Sequence, residues 1–200
     1  MICVSSRWAK TISAKLNKMS PFELKIFPDP CLRIKAKPVE DFSPDIAKVL
    51  RSMADIMYTN SGIGLAATQV GFGLQLIVID TGDGLTNFLN PVILEKSGKK
   101  TITEEGCLSL PGVNVKVARY EKIKVRAQNE KGGFFIKKFD SLMARAVQHE
   151  VDHLKGKLII DYLGSVRYLM VTRKFKNGKF RKIKTCEVTC DAGRKNSRTA

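Results

Sequence analysis

The segment QHEVDH at positions 148–153 constrains this chain most, because it holds the only two histidines among 200 residues. Histidines four positions apart lie on one face of an α-helix, so both imidazoles can bind one metal ion. Glu150 lies a short way round the helix, where its carboxylate can exchange protons with a bound water. The alternative is a solvated helix that carries two histidines by chance. The segment therefore predicts a helix with a metal-binding face.

Helical and strand patterns alternate along the centre of the chain and predict an α+β domain. Ser43 and Pro44 are typical of a helix start, and apolar residues follow at helical spacing to Asn60. A second helix is predicted from 140 or 141 to about 155, where Gly156 can end it. Strands are predicted at 74–80, 88–94, 113–117, 123–127 and 134–139, with a hairpin turn at 131–133 and a short helix at 168–170. We therefore expect mixed or antiparallel β-sheets packed around a central metal-binding HExxH helix.

The net charge of +16 is concentrated at the two ends of the chain. Residues 1–19 contain four Lys or Arg and no acid, whereas residues 164–200 contain eleven basic and two acidic residues. Residues 20–163 are nearly balanced, with 20 basic and 17 acidic residues. We expect a basic extension over 1–19, a central domain over 20–163 and a basic, partly helical or disordered tail over 164–200. Basic tails suggest a polyanion such as RNA, although solvated ends fit the composition at least as well.

The cysteines and the first residues bear on the compartment. Five cysteines are an odd number without disulfide-like spacing, which favours a reducing interior. Residues 1–18 loosely resemble an organelle transit peptide, but translation from Met19 or a frayed extension explains them better. No apolar run approaches the ~18 residues that a membrane span needs. The prediction is bacterial cytoplasm, with an organelle as the alternative.

A catalytic metal usually has three protein ligands and one open position, so the histidine pair needs a partner. In one HExxH metallopeptidase class the third ligand would fall on Ile159. In another class it is a downstream Glu, but here Asp161 is too close and Glu187 lies in the basic tail. An HExxH peptidase is therefore disfavoured.

Cys107 is the better candidate, because it lies in a short segment bounded by Gly and Pro. Its thiolate with two imidazoles would make a site that still admits water. Taken alone, however, Cys107 fits a small buried apolar side chain better, because most free cysteines are of that kind. Cys186 and Cys190 could instead form a closed structural zinc site with the histidines, but that would leave Glu150 without a role.

Three segments together resemble the peptide deformylase family. Its signatures are a Gly-x-Gly-Leu-Ala-Ala-x-Gln loop, a Glu-Gly-Cys-Leu-Ser segment and a Gln-His-Glu-x-Asp-His helix. This chain has GIGLAATQ at 62–69, EGCLS at 105–109 and QHEVDHLKG at 148–156, in the family's order. The likeness covers roughly residues 22–163 and implies that 20–163 is a deformylase catalytic domain. The two basic ends depart from the family.

The resemblance implies a role for each matching residue. Three of them would bind the metal: Cys107, His149 and His153. Glu150 would take a proton from water as general base and return it to the leaving amine as general acid. The Gln69 amide and the backbone N–H of Leu108 would stabilise the developing oxyanion.

The implied reaction is hydrolysis of the N-formyl group from the N-terminal Met of new polypeptides, with release of formate. The peptide would add as an extra strand beside the first signature loop and the segment near Gly106. These residues would contact the substrate: Gly62, Ile63, Gly64, Gly106, Leu142, Arg145 and Ala146, together with His149.

A thiolate and two imidazoles suit several divalent metals. The family typically works with Fe²⁺, so one Fe²⁺ per chain is predicted, with Zn²⁺, Ni²⁺ or Co²⁺ as substitutes. The predicted partners are N-formyl-Met nascent peptides and, through the basic C-terminal tail, the ribosome; neither a membrane nor DNA is predicted. The competing function is a basic RNA- or ribosome-binding module with a structural metal.

Overall fold

The computed structural model describes residues 22–177 of the chain. The described residues have a mixed α/β architecture. The α-helices are α1 (Pro44–Thr59), α2 (Ser141–Leu154) and α3 (Ser165–Lys176). The strands are β1 (Gly64–Ala66), β2 (Leu76–Ile79), β3 (Thr86–Glu105), β4 (Val115–Gln128) and β5 (Phe134–Asp140). Short 3₁₀ helices lie at Pro30–Arg33, Ala67–Val70 and Ile159–Tyr162.

The five strands form one sheet in the order β1-β2-β3-β4-β5, and every neighbouring pair is antiparallel. Across residues 22–177 the sheet is therefore single, where several sheets were expected. The only parallel pairing among residues 22–177 is an isolated bridge between Lys37 and Leu74, which lies outside the five strands. This meander needs only short hairpin connections, which is why consecutive strands lie side by side.

Four strand predictions were wrong in extent. The segments predicted at 113–117 and 123–127 are one continuous strand, β4, because residues 118–122 also pair with β3. The segment predicted at 88–94 continues as β3 to Glu105, because its charged second half pairs with β4 while its side chains stay exposed. The strand predicted at 74–80 is confined to Leu76–Ile79. The strand at 134–139 and the turn at 131–133 are confirmed, the turn closing with Gly132 at φ +81°.

Local sequence signals predicted where α1 begins and where α2 ends, and the structure confirms both positions. Helix α1 follows Ser43 at the N-cap, has Pro44 in its first turn and is capped by Asn60. Helix α2 ends at Leu154, and Gly156 follows with a left-handed φ of +72°. A side chain at Gly156 would place Cβ only 2.5 Å from the carbonyl oxygen of Arg33, so glycine is required there twice over.

Helix α2 packs its apolar side against the inner face of the sheet, and this cluster forms the centre of the domain. Helix α1 packs on the other side of β1 and β2. A third cluster gathers the segment after Cys107, the residues after α2 and Phe175. Residues 105–109 and α2 therefore meet where the three clusters adjoin. The predicted metal-binding residues lie at this position.

The tail predicted from residue 164 begins as helix α3, which is anchored by an edge-on contact between Phe175 and Phe27 with ring centroids 5.4 Å apart. The rest of that tail, with Cys186 and Cys190, lies outside the described residues, as does the N-terminal extension. Among the described helices, none combines the length and the apolar character required to cross a membrane.

Candidate active site

Cys107, His149 and His153 bring their ligand atoms together. The Cys107 thiol sulfur lies 3.2 Å from Nε2 of His153, and the two Nε2 atoms of the histidines lie 3.3 Å apart. All three ligand atoms lie within 4.8 Å of one another, and both imidazoles are buried. Helix α2 places the histidines one turn apart on one face, whereas Cys107 comes from the segment just after β3.

This donor set fits a metal ion. Ligands at about 2.0–2.3 Å from a tetrahedral metal are separated by between three and four ångströms, which agrees with the distances from Nε2 of His153 to the Cys107 sulfur and to Nε2 of His149. Burial holds the pKa of His153 well below its usual range, so its imidazole is neutral, as a metal ligand must be. Within residues 22–177, these three residues are the one His/Cys/Asp/Glu group with metal-ligand spacing.

Glu105 orients His149 from behind. Nδ1 of His149 donates to Oε2 of Glu105 over 3.0 Å, which turns Nε2 towards Cys107 and His153. A carboxylate behind a ligand imidazole is the common outer partner of metal sites, because it sets the tautomer and the ring orientation. Burial alone would raise the pKa of Glu105, but hydrogen bonds from His149 and Arg119 lower it to about 2. Glu105 is therefore a fixed anion.

Two arginines neutralise Glu105. Arg119 holds it with two hydrogen bonds, Nε to Oε1 at 3.0 Å and Nη2 to Oε2 at 2.9 Å. Arg145 adds a bond of 2.7 Å to Oε1 and also bonds the carbonyl oxygens of Val117 and Thr101. Paired in this way, a buried carboxylate avoids the large desolvation cost of an isolated charge.

Glu150 lies in a tight pocket beside the ligands. Burial raises its pKa to about 7, against the opposing charges of His149 and Arg119. Its Oε2 atom is buried without a hydrogen-bond partner among the described residues. Gly64 forms one wall, since a Cβ there would lie 2.6 Å from Oε1 of Glu150. Glycine is needed here for close approach, because Gly64 has no left-handed φ.

Gln69 is held with its amide beside Cys107. Its Oε1 accepts from the backbone N–H of Ala66 over 2.8 Å, which fixes the direction of the amide. Its Nε2 donates to Oγ of Ser109 at 3.1 Å and lies 3.6 Å from the sulfur of Cys107. The side chain is buried, so it is not an ordinary surface glutamine. Leu108 follows Cys107, and its Cδ1 atom would lie 2.7 Å from a Cβ at Gly62.

A cavity of about 420 Å³ opens onto this cluster. Its walls come from the loop before β1, from residues 104–114 and from the first turns of α2. Every residue predicted from the sequence to contact substrate lines this cavity: Gly62, Ile63, Gly64, Gly106, Leu142, Arg145, Ala146 and His149. Gln69, Cys107, Leu108 and Glu150 line it too, whereas His153 lies behind it.

The sequence reasoning gave no role to Glu105, Arg119 or Asp152. Arg119 comes from β4, is 4% exposed and also forms a salt bridge with Asp152. Glu105 and Asp152 were inside the quoted signatures, and an acidic residue next to a ligand is a weak signal for such a role. Arg145 was expected only in the substrate pocket; it lines that cavity, and its guanidinium is bound to Glu105.

Comparison with known protein families and sequences gives a consistent result. The family profile described as "Polypeptide deformylase" matches residues 21–168. The chain is 41% identical over 153 residues to a peptide deformylase of Thermotoga petrophila, which covers 76% of this chain and 93% of that relative. It is 46% identical over 130 residues to a peptide deformylase of Desulfitobacterium hafniense, which covers 65% of this chain and 86% of that relative.

Solved structures agree with the sequence matches. The crystal structure of a peptide deformylase from Thermotoga maritima aligns with a TM-score of 0.70 at 41% identity, covering 72% of this chain and 97% of that one. The peptide deformylase from Ehrlichia chaffeensis, solved in complex with actinonin, aligns with a TM-score of 0.76 at 31% identity. That match covers 80% of this chain and 99% of the other.

Proposed function

Because the chain belongs to the polypeptide deformylase family, whose members remove the N-formyl group from nascent polypeptides, we propose how its own residues perform that hydrolysis. The observation that carries the proposal is the convergence of Cys107, His149 and His153 beside the buried Glu150, at the wall of one cavity. These three residues would hold the catalytic metal. When bound, the metal would lower the pKa of a water molecule and polarise the formyl carbonyl.

Glu150 takes the proton from the attacking water and returns it to the leaving amine. A pKa near 7 suits both halves of this task, since the group must accept and release a proton at the same pH. The pocket formed by Gly64 keeps the carboxylate close to the ligands and dry. No hydrogen bond from residues 22–177 holds its Oε2, so that oxygen is available to the reacting water.

Gln69 and Leu108 stabilise the oxyanion. Gln69 has two N–H donors, of which Ser109 can take one, while the amide nitrogen lies 3.6 Å from the ligand sulfur. The amide is already oriented by Ala66, so little reorganisation is needed as charge develops on the substrate oxygen. The backbone N–H of Leu108, next to Cys107, would be the second donor.

The formyl-Met peptide lies along the loop before β1, with its Met side chain in the cavity between that loop and α2. Strand β1 is at one edge of the described sheet, so a substrate strand can add to it. Ile63, Leu142 and Ala146 supply apolar or small side chains to the cavity wall. A formyl carbon carries no side chain, which lets it reach ligands that ordinary peptide bonds cannot approach.

The metal, the domain limits and the setting complete the proposal. Fe²⁺ is the proposed native ion, and Zn²⁺, Ni²⁺ or Co²⁺ would substitute, because one thiolate and two imidazoles suit all four. Residues 20–163 are the proposed catalytic domain, preceded by a basic extension and followed by a basic tail that docks on the ribosome. The proposed setting is bacterial cytoplasm, which the bacterial relatives support.

The test is formate release from a formyl-Met peptide by protein reconstituted anaerobically with Fe²⁺. We expect turnover by the parent, loss of metal and activity in Cys107→Ala, and loss of activity with retained metal in Glu150→Ala. Cys31→Ala is the matched control. Cys31 belongs to the first 3₁₀ helix, far from Cys107 in the sequence, so this variant should keep both metal and activity. Formate release by Glu150→Ala at the parental rate would refute the proposed mechanism.

A further inference from the structure

Tyr162 forms hydrogen bonds with Arg119, which binds Glu105, and with Asp152. Its hydroxyl donates to Oδ2 of Asp152 over 2.6 Å and accepts from Nη1 of Arg119 over 3.0 Å. Tyr162 ends the 3₁₀ helix after α2 and belongs to none of the three signatures. Burial and the hydrogen bond to Asp152 raise the pKa of Tyr162, so the hydroxyl keeps the proton that it donates.

The ring of Tyr162 also covers Arg119. The guanidinium carbon of Arg119 lies 5.1 Å from the ring centroid, and the Lys157 ammonium lies 3.6 Å from it. Tyr162 is 36% exposed whereas Arg119 is 4% exposed, so the ring lies on the solvent side of the guanidinium. Asp152 keeps 18% of its side chain exposed and could otherwise exchange Arg119 for water.

Arg119 connects this outer pair to the ligand His149. Its Nη1 faces Asp152 and Tyr162, while Nε and Nη2 bind the two oxygens of Glu105. A guanidinium is planar and rigid, so the bonds made at Nη1 fix the direction of the other two. The unbroken order of hydrogen bonds is Tyr162, Arg119, Glu105 and His149.

We propose that Tyr162 is a positioning residue for the metal centre: its hydroxyl holds Arg119 and Asp152 so that Glu105 keeps His149 aimed at the metal. This inference rests on the proposed metal site and extends it by one further layer. Loss of the hydroxyl leaves the ring and the Asp152–Arg119 pair in place but removes one of the hydrogen bonds that hold the outer end of the guanidinium. The expected defect is therefore in the retention of metal.

The test compares Tyr162→Phe with Tyr120→Phe in Zn²⁺-loaded protein. Tyr120 is the neighbour of Arg119 on β4, and its hydroxyl makes no protein hydrogen bond within residues 22–177, so it is the matched control. The readout is the rate at which Zn²⁺ passes to an excess of a chromogenic chelator. Removing a group bonded directly to a ligand costs about 10- to 100-fold in metal affinity, so one layer further out we expect release about 3- to 10-fold faster.

A double-mutant cycle with Glu105→Gln tests whether Tyr162 affects metal retention through Glu105. If Tyr162 acts through Glu105, then Tyr162→Phe should accelerate zinc release in the parent and add little in the Glu105→Gln background. Thermal unfolding of each variant without metal measures any general loss of stability. A purely structural role would lower the melting temperature and leave the release rate unchanged.

The inference is overturned if Tyr162→Phe releases Zn²⁺ at the parental rate, or if Tyr120→Phe accelerates release as much. It is also overturned if the effect of Tyr162→Phe is the same in both backgrounds. Failure of the proposed function is a separate result: the parent would bind no zinc, or Cys107→Ala would retain it. In that case the metal centre itself, and with it this inference, would be wrong.

Discussion

Gly64→Ala tests the pocket around Glu150 most directly. A Cβ at this position would lie 2.6 Å from Oε1 and 3.1 Å from Cδ of Glu150, about 1 Å inside an ordinary contact of about 3.5 Å. One partner must move. The backbone of Gly64 is paired with Ile79 of β2, whereas Oε2 of Glu150 has no hydrogen-bond partner in the part of the chain that the structure describes. The carboxylate should therefore shift and the strand should stay.

The size of the effect follows from that shift. Displacing a reacting group by 1 Å can lower a rate about 10²-fold, which corresponds to about 2.7 kcal/mol of activation free energy. Overpacking should cost about 1–3 kcal/mol of folding free energy, which leaves the fold intact. The three atoms nearest to the added methyl group all belong to Glu150, so the metal should remain bound.

The assay measures kcat and KM for formate release, with metal content and the melting temperature of the same samples. Gly73→Ala is the control, because a Cβ at Gly73 meets no atom within 4 Å and its φ is not left-handed. A Gly64→Ala protein that keeps kcat within twofold of the parent would show that the added methyl group does not displace the Glu150 carboxylate. A loss of metal together with kcat would show that the methyl group acts on the ligands instead of on Glu150.

Three further predictions concern the supports of the site. Glu105→Gln should lower the free energy of unfolding by about 3–5 kcal/mol in chemical denaturation, because it removes the anion of half-buried Arg145 and leaves buried Arg119 with Asp152 alone, whereas exposed Glu104→Gln should change it little. Tyr58→Phe removes a 2.6 Å bond to Asp80, whose backbone N–H holds the carbonyl of Ile63 beside the cavity. Because this hydrogen bond is exposed to solvent, its loss should raise KM by only about two- to fivefold with kcat unchanged; an unchanged KM contradicts the role. Residues 178–200 carry seven Lys or Arg. Deleting them should weaken salt-dependent cosedimentation with ribosomes and spare hydrolysis of a free formyl-peptide. Equal cosedimentation of the two proteins would contradict a role of the tail in ribosome binding.

The helices could be predicted because their signals are local. Ser43 and Pro44 mark the start of α1, and Gly156 marks the end of α2, within one or two residues of the observed limits. Apolar spacing within each helix also indicates which face is buried. The proposed metal ligands His149 and His153 follow from the same helical geometry, since both lie on a single element.

The strands were harder to predict because their pairing is non-local. Residues 95–104 of β3 are mostly charged or small and largely exposed, and they are held as a strand by hydrogen bonds to β4 alone. Strand β1 has only three residues and depends on β2 for its pairing. No periodic pattern of one segment reports such partners, because the partner sets the conformation.

The interruption predicted between residues 117 and 123 has the same cause as the missed support of the site. Arg119 occupies an inward position of β4, where an apolar side chain would continue the pattern. A buried guanidinium is tolerated only when its charge is matched, and Glu105 and Asp152 supply the match from β3 and α2. Glu105 in turn holds a metal ligand. A basic residue that interrupts the apolar and polar alternation of a strand therefore need not end the strand. It is better interpreted as an inward-facing residue that is paired with acidic residues from other elements. Applied to this chain, that rule joins the two segments into β4 and points from Arg119 to the acids beside Cys107 and His153.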